Sequence, residues 1–178
     1  IGNVFATGYF SSDAIGFDAH VLLNQERDSC NAGNCKFKVY LVKIDPSGNT
    51  VWLKGQSSYN QALGYGVATD LLGNVYVVGG VHGNSLIFDS TVLLRPDIYA
   101  DPMFMISFGP NGNELCGFMF GSGGDDVCGV CTDRFGNVCI GGDYYMVNPF
   151  IIGNDSLYLT SDSTYLGAQE NVFVAKFN

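Results

Sequence analysis

The sequence predicts an all-β chain made of a repeated antiparallel unit of four strands, with a hairpin inserted in each unit. Three observations lead there. Short runs of Val, Ile, Tyr and Phe alternate on a period of two and stop at Gly, Asn, Asp or Pro. No 12-residue window sustains a helical period. Finally, marker segments return in a constant order along the chain, the signature of a repeat architecture.

The first marker is Gly2-Asn3-Val4-Phe5-Ala6-Thr7-Gly8, which returns as Gly73-Asn74-Val75-Tyr76-Val77-Val78-Gly79 and as Gly136-Asn137-Val138-Cys139-Ile140-Gly141-Gly142, at spacings of 71 and 63 residues. The second is Val39-Tyr40-Leu41-Val42-Lys43-Ile44, matched by Met103-Phe104-Met105-Ile106-Ser107-Phe108 and by Val172-Phe173-Val174-Ala175-Lys176-Phe177, at spacings of 64 and 69. Two further segments occur twice. Gly48-Asn49-Thr50-Val51-Trp52 matches Gly112-Asn113-Glu114-Leu115-Cys116, and Gly66-Val67-Ala68-Thr69-Asp70 matches Gly129-Val130-Cys131-Thr132-Asp133. Between the first two markers lies a hairpin-like patch, seen at Phe17–Leu23, Phe88–Leu94 and, more loosely, Ile152–Leu159. The repeat units run approximately 1–70, 71–133 and 134–178 within a single domain of 178 residues, the first and last incomplete.

The turns are explicit. Asp45-Pro46-Ser47-Gly48-Asn49, Asp70-Leu71-Leu72-Gly73-Asn74 and Asp133-Arg134-Phe135-Gly136-Asn137 place an Asp where its carboxylate can accept local N–H groups. A Gly then stands where a three-residue hairpin loop needs positive φ. Gly109-Pro110-Asn111-Gly112-Asn113 is the same device without the Asp. Asp45, Gly48, Asp70, Gly73, Gly112, Asp133 and Gly136 are accordingly structural candidates.

Composition narrows the function. With 47% hydrophobic and 13% aromatic residues the chain has the means to build a core, whereas charged residues are only 14% against about 25% in ordinary domains. Low charge density points to a self-association surface. A formal charge of −9 disfavours nucleic acid and anionic membranes as partners, and no apolar run reaches the roughly 20 residues that span a bilayer. Ile1 opens directly in a strand-like pattern, without a leader-like segment.

Six cysteines fit an exported protein. Cys30 and Cys35 bracket a tight polar loop, Cys131 and Cys139 flank the Asp133–Asn137 hairpin symmetrically, and Cys116 with Cys128 remains as a third candidate disulfide. A zinc knuckle is the competing reading of Cys128-Gly129-Val130-Cys131, joined by Cys116 and Cys139. Against it, two cysteines three positions apart on a strand face opposite ways unless a bulge intervenes. Asp125 and Asp126, with Asp133 nearby, are candidates for Ca²⁺ set against the plain reading of a solvated turn, and no cofactor is otherwise expected. No catalytic constellation stands out: His20 and His82 have no triad-like neighbours, and Gly121-Ser122-Gly123 lacks the nucleophile-elbow spacing. Tyr9, Tyr144, Tyr145 and Phe150 suit either packing or a glycan platform, and Asn154-Asp155-Ser156 is an N-glycosylation acceptor.

At this point the motifs carry a resemblance. Asp-x-x-Gly-Asn-Val-Tyr-Val-x-Gly, Phe-Val-Ala-Lys-Phe, Gly-Asn-x-x-Trp, and Gly-Ser-Gly-Gly-Asp-Asp followed by Gly-Val-x-Thr-Asp resemble the SBBP-type β-propeller repeats of bacterial and archaeal secreted and cell-surface proteins. The resemblance implies a blade-like four-stranded sheet per unit and an extracellular or cell-surface address; it implies no reaction. A closed propeller needs about four to eight blades, and this chain makes two passes and a partial third, beginning at a second strand and stopping at a third. An incomplete or open array follows. The expected role is a structural subunit that self-associates through β-strand edges into a fibre or surface array and is locked by disulfides. The alternative is a module of a larger secreted protein that binds glycan, protein or Ca²⁺.

Overall fold

The structure is a computed structural model and describes residues 2–24, 36–58, 60–95, 101–121, 126–145, 150–152, 155–157 and 170–177. These residues are all-β and contain no helix. Sixteen strands follow in order: β1 (Val4–Phe10), β2 (Ala14–Phe17), β3 (His20–Leu23), β4 (Lys38–Ile44), β5 (Thr50–Gly55), β6 (Gln61–Thr69), β7 (Val75–His82), β8 (Ser85–Phe88), β9 (Thr91–Leu94), β10 (Met103–Phe108), β11 (Glu114–Phe120), β12 (Asp126–Thr132), β13 (Val138–Tyr145), β14 (Phe150–Ile152), β15 (Asp155–Leu157) and β16 (Glu170–Phe177).

They form three principal antiparallel sheets, ordered β1-β4-β5, β11-β10-β7-β6 and β12-β13-β16, and three two-stranded hairpins, β2-β3, β8-β9 and β14-β15. Each hairpin is inserted between the strands that carry the two sequence markers. In register, Leu41 pairs Thr7, Met105 pairs Val78 and Val174 pairs Gly141. Among the described residues the sheets do not close into a barrel or ring.

Two cores hold the sheets together. Val39 and Leu41 of the first sheet, Val77, Phe104, Ile106 and Phe108 of the second, and Leu86 and Phe88 of the β8-β9 hairpin share one. Val78, Met103 and Met105 on the other side of the second sheet meet Val138, Ile140 and Phe173 of the third, with Phe150 and Ile152 from β14. β10 is thus buried on both faces, which explains its nearly continuous apolar run Met103–Phe108, interrupted only by Ser107. Each fully buried Phe or Leu here is worth about 1.5–3 kcal/mol. The hairpins add main-chain clasps to the preceding sheet: Ser57 N donates to Ile87 O (2.9 Å) and Gly121 N to Ile151 O (3.0 Å).

The turns follow one template. Asp45 Oδ1 accepts from the N–H groups of Ser47 (2.8 Å) and Asn49 (2.9 Å), Asp70 Oδ1 from Leu72 and Asn74 (both 2.9 Å), and Asp133 Oδ1 from Phe135 (2.8 Å) and Asn137 (3.0 Å). Gly48, Gly73, Gly112 and Gly136 have φ between 81° and 91°, left-handed conformations that a Cβ would strain. The hydrogen bonds favour the ionised carboxylates. Asn49 holds the Asp45 carboxyl below its ordinary value, and Lys176 with Asn137 does so more strongly for Asp133. Burial pushes Asp70 upward, but Asn74, Tyr76 and Leu72 outweigh it.

Because these three values are depressed in the folded state, the stability they contribute is present above the unfolded carboxylate value of 3.8 and is lost as pH falls through the folded values. Urea unfolding as a function of pH should therefore show stability level near neutrality and declining once pH drops through about 4. The combined Asp45→Asn, Asp70→Asn and Asp133→Asn variant should lose stability at neutral pH and show a flatter acid limb. An unchanged slope would mean that these turns do not drive acid sensitivity.

Candidate functional site

The surface that sets the third sheet apart is its outer face. On β4 and β10 the residues at alternating positions point toward the next sheet in the series. Val39 and Leu41 are both 0% exposed against the second sheet, and Met103 and Met105 are 0% and 5% exposed against the third. Their counterparts on β16, Val172 and Val174, are 84% and 83% exposed. The same strand position is core twice and open surface once.

Beside Val174 lies a shallow, largely apolar depression of about 420 Å³, bordered by Cys128, Gly129, Cys131, Cys139 and Gly141. In the second sheet the equivalent place is filled: a Cβ built on Gly66 would meet Val78 at 3.2 Å and Val130 of β12 at 3.3 Å. Thr132 Oγ1 also crosses to Thr69 O at 2.7 Å. The depression is the position an inner strand takes against the sheet before it.

A polar tether crosses the first junction. Lys43, on the same face as Val39 and Leu41, donates from Nζ to Pro110 O in the β10-β11 turn at 2.6 Å. Lys176 occupies the matching position on β16 and instead donates to Asp133 Oδ2 at 2.9 Å.

In the structure the four described cysteines, Cys116, Cys128, Cys131 and Cys139, are not bonded to one another. Cys131 and Cys139 are cross-strand partners as the hairpin symmetry requires. However, Asp133 N donates to Asn137 O across the turn, so two residues on, Cys131 and Cys139 fall at another hydrogen-bonded pair. There the Cα atoms stand about 5.5 Å apart with Cβ atoms wider than the roughly 3.8 Å a disulfide requires. Cys116 is on β11, at one edge of the second sheet, whereas β12 with Cys128 packs on β6 and β7 at the other. About three strand spacings, roughly 14 Å, separate those edges. Cys30 and Cys35 lie outside the described residues.

A register shift between Val127 and Gly129 supplies the bulge that the zinc reading lacked, and it leaves both Cys128 and Cys131 exposed on the outer face. The thiols nevertheless do not converge. Among the described residues no three or more His, Cys, Asp or Glu side chains are placed to hold a metal ion. Cys128 Sγ instead donates to Asp143 Oδ1 at 3.3 Å.

Asp126 pairs in register with Asp143, and its carboxyl is pushed up by burial and then by the Asp143 charge, with His82 opposing. It borders a second depression of about 410 Å³ with Tyr65, Val127 and Cys128. Asp125 lies outside the described residues. His82 Nδ1 contacts Asp101 Oδ2 at 2.7 Å, a pair that sequence reasoning missed because 19 residues separate the partners.

Tyr144 and Phe150 do not form a glycan platform. Both are buried, with ring centroids 5.2 Å apart, and Phe150 also packs on Phe173 at 4.6 Å. Tyr9 is half exposed against Phe37 (5.1 Å), and the Tyr145 side chain and Asn154 lie outside what is described. No protein-family model matches the chain, and no curated protein matches it.

Proposed function

We propose that the chain is a structural module of an extracellular assembly rather than a catalyst, and that it works by joining its end sheets to further copies. The observation that carries this reading is the burial mismatch on one strand position, where Val172 and Val174 are open while Val39, Leu41, Met103 and Met105 are core. Two neighbouring exposed Val side chains on one sheet face beside an apolar depression suit an association surface. The low charged fraction of 14% agrees with it.

Three sheets of common design, each with a hairpin between its marker strands and packed face to face, support a blade-like, open propeller arrangement. The four-stranded second sheet has the composition of a complete blade. The described cysteines are not bonded to one another in the structure, so the reading rests on strand packing and not on disulfide locking through them.

Light scattering and sedimentation over a range of concentrations test it. Average mass should rise with concentration. Val174→Asp should weaken association about tenfold or more, since a carboxylate would have to be desolvated in the contact. Leu71→Asp, at an exposed position in the β6-β7 turn of the second sheet, serves as control and should leave association unchanged. A wild-type chain that stays monomeric throughout would sink the proposal.

The second reading, a recognition module, is favoured by the depression beside Tyr65 and Asp126. Titration with Ca²⁺ and with an array of glycans would reveal it.

A further inference from the structure

The two ends of the sheet series are complementary, and the complementarity copies a junction already present inside the chain. In that internal junction Lys43 of the first sheet reaches the carbonyl of Pro110, which sits in the Gly-Pro turn of the second. The tail end of the chain repeats the donor: Lys176 stands in the Lys43 position, next to exposed Val172 and Val174. The head end repeats the acceptor: Pro46, in the exposed turn Asp45–Asn49, stands in the Pro110 position.

The head end is also under-covered in the same way as the tail. Gly112, in the internal junction, lies beneath the Trp52 ring, whose nearest atom is 3.2 Å from where its Cβ would be, whereas its counterpart Gly48 has nothing within 4 Å. Leu86 and Phe88 of the second hairpin are buried between sheets, and their counterparts Ile15 and Phe17 in the first hairpin are only half-buried. Ile87 O accepts from Ser57 of the preceding sheet, and Gly16 is its counterpart at the head end.

On the reading that the chain self-associates, we propose that the third sheet of one copy docks on the first sheet of a second copy, head to tail, with Lys176 meeting the turn at Pro46 of the second copy. Val172 and Val174 are covered by the β4 face of that copy, as Val39 and Leu41 are covered by the β10 face within one chain. The carboxylate of Asp45, next to Pro46, adds an opposite charge for Lys176 that Gly109 does not offer Lys43. Such a contact is heterologous, so it propagates into a filament or a large ring instead of stopping at a dimer. Among the described residues the third sheet has no outer strand and the first no inner strand, so the contact is smaller than the internal one. It belongs with weak interfaces of less than about 1,200 Å².

Zero-length carbodiimide coupling of an equal mixture of ¹⁴N- and ¹⁵N-labelled protein, read by peptide mass spectrometry, tests the register. The amide between Lys176 and Asp133 is the intrachain reference, expected in unmixed isotope form. The proposal requires a second, mixed-isotope amide between Lys176 and Asp45, reduced about tenfold in Val174→Asp. Mass measured on the same samples separates the two claims. Association without the mixed Lys176–Asp45 amide, or with mixed amides only at other sites, overturns this register and leaves self-association standing. Absence of association overturns both.

Discussion

Replacing Gly79 with alanine should destabilise the fold by about 3 kcal/mol or more, a size reserved for changes that force backbone to move. A Cβ at Gly79 would stand 1.9 Å from Leu63 O and 2.7 Å from the Phe104 ring. The cause is the register shift between Gly64 and Gly66, which presses the β6 main chain toward β7. The third sheet has the same shift, and Gly142 there would meet Asp126 O at 2.1 Å, so Gly142→Ala should be comparably damaging. Gly8 holds the same place in the first sheet but meets only the end of the Tyr40 side chain, at 3.1 Å, which can give way. Its alanine variant should lose no more than about 1 kcal/mol. Urea unfolding of the three variants checks the ranking, and equal losses at all three would show that the bulged inner strand is not what demands glycine.

Phe150→Ala should come next, at about 3–5 kcal/mol. The Phe150 ring lies between the second and third sheets with centroids 4.6 Å from Phe173, 5.2 Å from Tyr144 and 6.5 Å from Phe120, and it is wholly buried. Removing it empties a cavity where two sheets and the β14-β15 hairpin meet. The hairpin should also become sensitive to proteolysis, because β14 loses its main anchor. Phe135→Ala, at an exposed turn tip, should change stability by less than about 0.5 kcal/mol. Similar losses in the two variants would contradict the assigned core.

Much of this architecture was legible in the residues. Strands, turns and hairpins declare themselves locally: alternation of Val, Tyr and Phe encodes a two-sided ribbon, and Asp-x-x-Gly-Asn encodes its own hydrogen bonds and its one positive φ. The register of Cys131 with Cys139 follows from counting outward from such a turn. What counting could not supply was whether that pair falls at a hydrogen-bonded or a non-hydrogen-bonded position, which decides how far apart the sulfur atoms sit. Nor could it supply the bulge beside Gly129, since bulges follow from how an inner strand bends over its neighbour. Tyr144 and Phe150 read equally well as core or as a platform, because aromatic residues serve both until burial is known.

The sequence by itself determined an all-β chain, its repeated strands, the geometry of its turns and the position of its inserted hairpins, because each is governed by interactions within a few residues. Only the tertiary structure decided that Val172 and Val174 remain open where their counterparts are core, and that Lys176 turns back to Asp133. Those outcomes depend on which faces find a partner in space. Strand pairing and apolar packing between residues tens of positions apart are set by competition among many similar sheets and edges, and a repeat, being nearly the same everywhere, carries little local information about which of them meet.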